Sequence, residues 1–201
     1  MTGKKLSANF YQRADVVQIS KDLLGKVLCT NFKGQPLASG IITETEAYCG
    51  RSDKACHANN GLRTKRTEVM YQAGGAAYVY LCYGIHHLFN VVTNVKNKAD
   101  AVLIRSINPL DGADTILSRR QADTLSPKVT AGPGRLTKAL GITTNHTGID
   151  LTADTIWIED RNISYRAEQI ASSPRIGVDY AGEDAKRPWR FYVKESEWVS
   201  T

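Results

Sequence analysis

The sequence predicts an α+β fold: a single compact domain with a mainly antiparallel sheet and flanking helices. Its 201 residues are enough for one hydrophobic core. Strand-like segments follow one another in hairpin-like pairs, with helical segments inserted between the pairs. This order is typical of an antiparallel or mixed sheet rather than a doubly wound one. No stretch rich in Pro, Gly or Ser divides the chain, so we expect residues 1–201 to form one domain.

Hydrophobic periodicity predicts the individual elements. Apolar residues at helical spacing predict a helix over 15–24, ended by Gly25, and two short helices over 114–121 and 134–140. Residues 51–67 are polar and predict a long loop, which in a compact domain is usually functional or disordered. Strands are predicted at 26–30, 40–48, 76–83, 87–95, 101–107, 156–159 and 189–193.

The charge balance suits a partner rich in phosphate. The net charge of +6 favours nucleic acid, because Lys and Arg displace condensed counterions from it. No apolar run approaches the roughly 18 residues that suggest a membrane span. The N-terminal segment also lacks the apolar core of a signal peptide. We therefore expect a cytoplasmic protein that contacts no membrane.

Neither a metal ion nor an organic cofactor is expected. Cys49, Cys56 and Cys82 come near His57 in sequence or sheet, but they lack the spacing of a zinc site. His57 is better suited to hydrogen bonding within the polar loop. The phosphate-loop and serine-hydrolase motifs are missing. The GPGR segment at 132–135 does not follow a strand, as a dinucleotide-binding motif would.

Two carboxylates share one face of the strand predicted at 40–48. Alternation puts Glu44, Glu46 and Tyr48 on the same side. That side is either a solvated surface or a carboxylate base beside an aromatic ring. Arg105 lies in an apolar strand, where a cation needs a carboxylate partner or a solvent-facing position. Glu46 is a candidate partner, since an adjacent arginine would hold its carboxylate ionised and oriented.

Three tyrosines occupy the strand predicted at 76–83. Tyr78 and Tyr80 share a face, whereas Tyr83 lies at the turn beside Gly84. Packing within the sheet explains such tyrosines. The functional alternative is that Tyr80 stacks on a ligand ring and that Tyr83 is free to wedge between base pairs.

The segment 61–67, GLRTKRT, is a basic part of the long loop. Arg63, Thr64, Lys65 and Arg66 are candidates for contacts with backbone phosphates. The alternative is that these charges are simply solvated.

Taken in order along the chain, these features resemble the alkyladenine (3-methyladenine) DNA glycosylase family. The resemblance extends from about Phe10 to Trp198 without large gaps, and its specificity lies in the combination. The matching features are ETEAY at 44–48, His57, YVY-x-x-YG at 78–84, Asn90, VL-x-R at 102–105, GPG-x-L at 132–136 and RPWRFYV at 187–193.

The resemblance implies roles at matching positions. Glu46 would be the general base that activates the attacking water, and Arg105 would hold that water and the carboxylate. Tyr48 and Tyr80 would sandwich a flipped base, and His57 would pack and hydrogen-bond at its other side.

Two further roles concern selectivity and DNA. The resemblance implies that Asn90 rejects the exocyclic amine of guanine and that Tyr83 fills the gap left by the flipped nucleotide. It also implies a curved antiparallel sheet with a protruding β-hairpin.

The implied activity is that of a monofunctional glycosylase that acts on double-stranded DNA. It would flip alkylated or deaminated purines out of the duplex, hydrolyse their bond to the sugar and act as a monomer. An enzyme must extrude a base to reach it, and an aromatic pocket favours an electron-poor alkylated ring. Two alternatives remain, a lesion-binding protein without activity and a hydrolase of free nucleosides. The carboxylate of Glu46 argues against the first, and the basic loop and hairpin argue against the second.

Overall fold

The protein folds around one curled antiparallel sheet. In the computed structural model, which describes residues 3–200, nine strands pair in the order β1-β7-β2-β3-β6-β5-β4, and β9 joins β3 to β8. The curved sheet and the α+β class are therefore confirmed. The strands are β1 (Lys4–Lys5), β2 (Val27–Thr30), β3 (Ala38–Tyr48), β4 (Ala77–Cys82), β5 (His86–Thr93), β6 (Asp100–Pro109), β7 (Ile156–Asp160), β8 (Ile170–Ser173) and β9 (Arg190–Val193).

Short helices cover the sheet. Helix α5 packs on β5 and β6, and α2 packs on β3. Across residues 3–200, every helix is too short or too polar to cross a lipid bilayer. The α-helices are α1 (Ala8–Tyr11), α2 (Val16–Asp22), α3 (Ala113–Arg120), α4 (Pro127–Thr130) and α5 (Pro133–Leu140). The 3-10 helices are Asn59–Gly61, Glu68–Tyr71, Thr144–His146, Ala167–Gln169 and Asp179–Lys186.

All seven predicted strands and three predicted helices are present, with bounds within two residues of those expected. The short elements β1, β8, α1 and α4 were not predicted. Each has only two to four residues, too few to show a period. They depend on neighbours that are remote in sequence.

The predicted long loop is only partly a surface feature. Residues 51–67 contain turns and one 3-10 helix, as a loop should. However, Asp53, Ala55, Cys56 and Ala58 are buried. This part of the loop closes over the sheet and forms one side of a cavity.

Strand β3 is the centre of the sheet. Its first half pairs with β2, its second half pairs with β9, and β6 lies along its other edge. The register with β6 shifts between Ile42 and Thr45, so that Thr43 and Arg105 have no direct partner across the pair. Such bulges re-aim side chains. Here the irregularity occurs where Glu44 and Arg105 meet.

Helix α2 supports the back of β3. The Ser20 hydroxyl donates to the Thr45 hydroxyl at 3.0 Å, and the Thr45 hydroxyl donates to the Ser20 carbonyl at 2.9 Å. Both side chains are fully buried. Because alternate residues of a strand point to opposite faces, this packing leaves the other face of β3 free to hold Glu44 and Glu46.

Replacing the residue that caps α2 should destabilise the fold modestly. The Asp15 carboxylate accepts a hydrogen bond from the Gln18 amide at 2.9 Å. Asp15→Ala should lower the free energy of unfolding by about 1 kcal/mol, the usual value of an N-cap. Asp15→Asn, which keeps an acceptor, is the control. Urea denaturation measures both, and equal midpoints for the two variants would contradict the assigned cap.

Candidate active site

One cavity collects most of the residues singled out from the sequence. It has a volume of about 440 Å³ and lies among the β4–β5 hairpin, the 51–67 loop, the start of α5 and the segment 174–180. This volume is in the range of small-ligand sites. The predicted site residues that line it are Tyr48, His57, Tyr80, Tyr83, Asn90 and Arg105.

Glu46 lies just behind the cavity wall. Its side chain is fully buried, and the three groups that hold it line the cavity. The Ile176 amide donates to Oε1 at 2.8 Å, Arg105 Nη1 lies 3.2 Å from Oε1, and the Tyr48 hydroxyl donates to Oε2 at 2.7 Å. A carboxylate oxygen can accept more than one hydrogen bond. Oε2 therefore retains capacity for a water molecule.

Arg105 bridges both carboxylates of the strand face. Its Nε donates to Glu44 Oε1 at 2.8 Å, and its Nη1 lies against Glu46. Burial lowers the pKa of Arg105, but the carboxylates of Glu46 and Glu44 outweigh this and raise its pKa above the ordinary value. Burial raises the pKa of Glu44, but Arg105 and other donors hold that pKa below its ordinary value. The solvated-surface alternative for this face is therefore wrong.

Tyr48 is held between the carboxylate and a buried cation. Burial and the neighbouring Glu46 raise the pKa of Tyr48 well above its ordinary value, so the phenol stays a donor. The Arg175 guanidinium lies over the Tyr48 ring, 4.7 Å from its centroid. Arg175 forms a fully buried two-pronged ion pair with Asp53. This pair fastens the 51–67 loop to the segment 174–180.

The segment 174–180 forms a wall of the cavity that was not predicted from the sequence. Ile176, Gly177, Val178 and Tyr180 line the cavity. Tyr180 is 69% exposed, and its hydroxyl donates to the Ala55 carbonyl at 3.1 Å. No local motif marks these residues, because they reach the cavity only through the ion pair behind them.

The β4 tyrosines and His57 form an aromatic cluster. The rings of Tyr78 and Tyr80 lie 5.5 Å apart, and His57 meets the Tyr80 ring edge-on at 4.7 Å. The Arg66 guanidinium lies over the Tyr80 ring at 4.9 Å from its centroid. Tyr80 and His57 line the cavity, whereas the buried Tyr78 supports them from behind.

The hydrogen bonds of His57 determine its tautomer. Arg66 Nη2 lies 3.2 Å from His57 Nε2, and a guanidinium can only donate. Nε2 must therefore accept, so Nδ1 carries the proton and donates to the Tyr78 hydroxyl at 2.9 Å. Burial first, and then the Arg66 charge, lower the pKa of His57 to about 4. The ring is accordingly neutral at pH 7.

Asn90 presents a fixed surface to the cavity. Its Nδ2 donates to the carbonyls of Tyr78 at 3.1 Å and Leu88 at 3.3 Å. Asn90 lies opposite Tyr78 of β4 and Leu103 of β6, and this register fixes its backbone position in the sheet. A side chain held by two backbone acceptors cannot turn aside for a larger ligand.

The hairpin tip projects Tyr83 into solvent. Tyr83 is 90% exposed and Ile85 is 72% exposed. Tyr83 and Gly84 have φ of 50° and 73°, and the Ile85 amide donates to the Cys82 carbonyl at 3.1 Å. Positive φ at both central positions is the requirement of a type I′ turn. The protruding hairpin expected from the sequence is therefore present.

The basic loop residues differ from one another in the structure. Arg63 forms a bidentate ion pair with Glu68, at 2.6 and 2.7 Å, so its charge is locally balanced. Thr64 forms hydrogen bonds with Thr67 inside the loop. Lys65 and Arg66 are exposed. These two residues are thus better suited than Arg63 to meet an external anion.

Comparison with known proteins shows the family of this chain. The sequence model of the family described as methylpurine-DNA glycosylase (MPG) matches residues 9–197. A Chlamydia felis protein named "Putative 3-methyladenine DNA glycosylase" is 47% identical over 198 residues, covering 96% of this chain and all of that protein. Proteins of the same name from Bacillus cereus strain G9842 and Natranaerobius thermophilus are 45% and 41% identical, covering 96% and 98% of this chain and 97% and 98% of those proteins.

These matches define the class of protein as a DNA glycosylase, a hydrolase of DNA repair. The chain belongs to the methylpurine-DNA glycosylase family. The family resemblance predicted from the sequence is thereby confirmed.

The low pKa of His57 generates a pH prediction. Its folded pKa, about 4, lies below the value of roughly 6.5 for an unfolded histidine. Between these values the unfolded chain binds more protons, so this group makes the protein less stable as pH falls through that window. Arg66→Met should raise the pKa by removing a nearby cation. NMR chemical shifts of the His57 imidazole between pH 3.5 and 8 measure its pKa in the unmodified protein and in Arg66→Met. Titration of His57 near pH 6.5 in the unmodified protein would contradict the assignment.

Proposed function

We propose that this DNA glycosylase flips an alkylated or deaminated purine out of duplex DNA and hydrolyses its N-glycosidic bond. The substrates would be of the 3-methyladenine, 7-methylguanine and hypoxanthine class. One observation carries the proposal: the Glu46 carboxylate is held by Tyr48, Arg105 and Ile176 against an aromatic cavity. The exposed Tyr83 lies at the mouth of the same cavity.

In the proposed reaction, Glu46 is the general base. A water molecule next to Oε2 would bond through its oxygen to C1′ of the sugar while the bond to the base breaks and its electron pair leaves with the base. A cationic alkylated purine leaves as a neutral molecule in this way, whereas neutral hypoxanthine must also take up a proton from solvent. Glu46 would take the proton of that water, as carboxylates do in glycoside hydrolysis. Arg105 supports this role because its Nη1 contacts Oε1, at 3.2 Å, rather than Oε2. Oε2 accepts a hydrogen bond from the Tyr48 hydroxyl and can accept another from the water.

Purine selection would follow from the cavity walls. The rings of Tyr48 and Tyr80 offer stacking surfaces, and a ring made electron-poor by alkylation gains most from them. The neutral His57 can pack and hydrogen-bond without adding charge against a cationic base. Asn90 is fastened by two backbone carbonyls. Through its fixed position it would disfavour the exocyclic amine of guanine, a penalty that the cationic ring of 7-methylguanine would offset by stacking on Tyr48 and Tyr80 and that undamaged guanine would not.

Contacts with the duplex would surround the cavity. Tyr83 would fill the position vacated by the flipped nucleotide, and insertion of a side chain between base steps is an established way to open a duplex. Lys65 and Arg66 are exposed beside the site, as phosphate contacts should be. Thr64 and Arg63 belong to the same proposed phosphate-binding loop, although Arg63 would first have to leave Glu68.

The proposed product is an intact strand with an abasic site. Strand cleavage by a glycosylase uses an amine that forms a Schiff base with the sugar. Among the described residues that line the cavity, none is a lysine. The enzyme would act as a monomer. The four cysteines are free thiols, which suits the reducing cytoplasm.

Glu46→Gln should abolish most excision without preventing binding. The amide keeps the size of the side chain but cannot accept a proton, so the single-turnover rate should fall by about 10²–10⁴-fold. Duplexes that each carry one candidate lesion, with identification of the released base, measure the rate and the substrate preference. Affinity for lesion DNA should persist or increase, because a negative charge is removed.

Glu168→Gln is the matched control, since Glu168 is exposed and its ion-pair partner within residues 3–200 is the likewise exposed Arg166. If Glu46→Gln releases bases at the rate of the unmodified protein, Glu46 is not the base. If the unmodified protein releases no base from any damaged duplex, the proposed function itself fails.

Tyr83→Ser should weaken lesion binding and excision while leaving the fold intact. Its exposed ring contributes little to the core, so the melting temperature should not change. Loss of the stacked ring should reduce binding by about 1–3 kcal/mol. Leu110→Ser, which alters another exposed apolar residue outside the cavity lining, is the control. Unfolding of the Tyr83 variant, or unchanged affinity for lesion DNA, would argue against the wedge.

A further inference from the structure

Glu44 has no part in the proposed chemistry, yet its buried carboxylate accepts five hydrogen bonds. Oε1 accepts from Arg105 Nε at 2.8 Å, Arg190 Nε at 2.7 Å and the Ser200 hydroxyl at 2.8 Å. Oε2 accepts from the Ser106 hydroxyl at 2.8 Å and the Ser200 amide at 2.7 Å. A buried charge needs this degree of compensation. Glu44 therefore gathers groups from β6, β9 and the segment that follows β9.

Ser200 is the least expected member of this cluster. Besides its two bonds to Glu44, its hydroxyl accepts a hydrogen bond from Arg105 Nη2 at 3.1 Å. Its carbonyl accepts from Arg190 Nη2 at 2.8 Å. Ser200 also lines the cavity. Every polar group of this residue is thus committed to the two arginines and the carboxylate.

The arrangement uses each nitrogen of Arg105. Nε meets Glu44, Nη1 meets Glu46 and Nη2 meets Ser200. A planar guanidinium held at three points cannot rotate about its last side-chain bonds. If the contacts with Glu44 or Ser200 were lost, the group could turn and change its angle to Glu46.

We propose that Glu44 and Ser200 are positioning residues for the Glu46–Arg105 pair. They hold the Arg105 guanidinium in the orientation in which it both contacts Glu46 and borders the cavity. The proposal rests on the proposed function of Glu46 and Arg105. It assigns an active-site role to a segment beyond β9 that is remote in sequence from Glu46 and Arg105.

Ser200→Ala is the central test. It removes the hydroxyl that joins Glu44 to Arg105. The hydrogen bonds of the Ser200 amide to Glu44 and of Arg190 to the Ser200 carbonyl remain. The single-turnover excision rate should fall about tenfold, as expected for one hydrogen bond to a charged group. Melting temperature and affinity for lesion DNA should stay near those of the unmodified protein. Ser200→Thr, which keeps a hydroxyl, should restore most of the rate.

Ser196→Ala is the matched control in the same segment. The Ser196 hydroxyl accepts from the Trp198 amide at 3.2 Å, and this variant should excise normally. In an Arg105→Ala background, Ser200→Ala should have little further effect, because residues that act as one unit are not additive. Fully additive losses would mean that Ser200 does not act through Arg105.

Glu44→Gln should lower excision further than Ser200→Ala, although loss of a buried charge can also unfold the protein. A measurement that does not depend on activity therefore tests the proposal even if Glu44→Gln unfolds. The Nε–H of Arg105 should be protected from hydrogen exchange by NMR, and protection should fall in Ser200→Ala but not in Ser196→Ala. Unchanged protection would overturn the proposal. The proposal would also be overturned if Ser200→Ala excised bases at the rate of the unmodified protein. If Glu46→Gln were inactive in the same assay, the proposed function would still stand.

Discussion

The burial of Glu44 and Glu46 on one strand face is the constraint on which the site depends. Two carboxylates removed from water are costly unless cations and hydrogen-bond donors compensate them. Arg105 contacts both, and Arg190 contacts Glu44 from β9. The sheet must therefore bring β3, β6 and β9 together at this point. The bulge in the β3–β6 register accommodates the meeting.

A second buried ion pair determines the shape of the cavity. Arg175 and Asp53 are both fully buried, and Arg175 also donates to the Ala47 carbonyl at 2.8 Å. This pair connects the long loop, the strand edge and the segment 174–180. It also places the guanidinium behind the Tyr48 ring. The same segment then delivers the Ile176 amide to Glu46. This one ion pair thus contributes to the positions of both the aromatic wall and the Glu46 carboxylate.

The β4–β5 hairpin, by contrast, depends more on local chain geometry. A turn with two positive φ values sends β4 back as β5 and leaves Tyr83 in solvent. The pairing of these strands brings Tyr78 opposite Asn90. Because the exposed Tyr83 ring and Asn90 in the pocket wall belong to one hairpin, the distance between them is set by the pairing of β4 with β5.

The sequence by itself determined the longer strands and helices, and it marked six of the residues that line the cavity. Strand and helix periods are local properties, so β3, β4 and α5 could be predicted from their own residues. The family pattern likewise marks Glu46 and Tyr83 by their order along the chain. Only the tertiary structure decided which groups compensate Glu44, since its partner Ser200 is 156 residues away. It also decided that Arg175, 122 residues from Asp53, supports Tyr48. Such contacts depend on strand register and on the burial of charge, and neither leaves a period in the sequence.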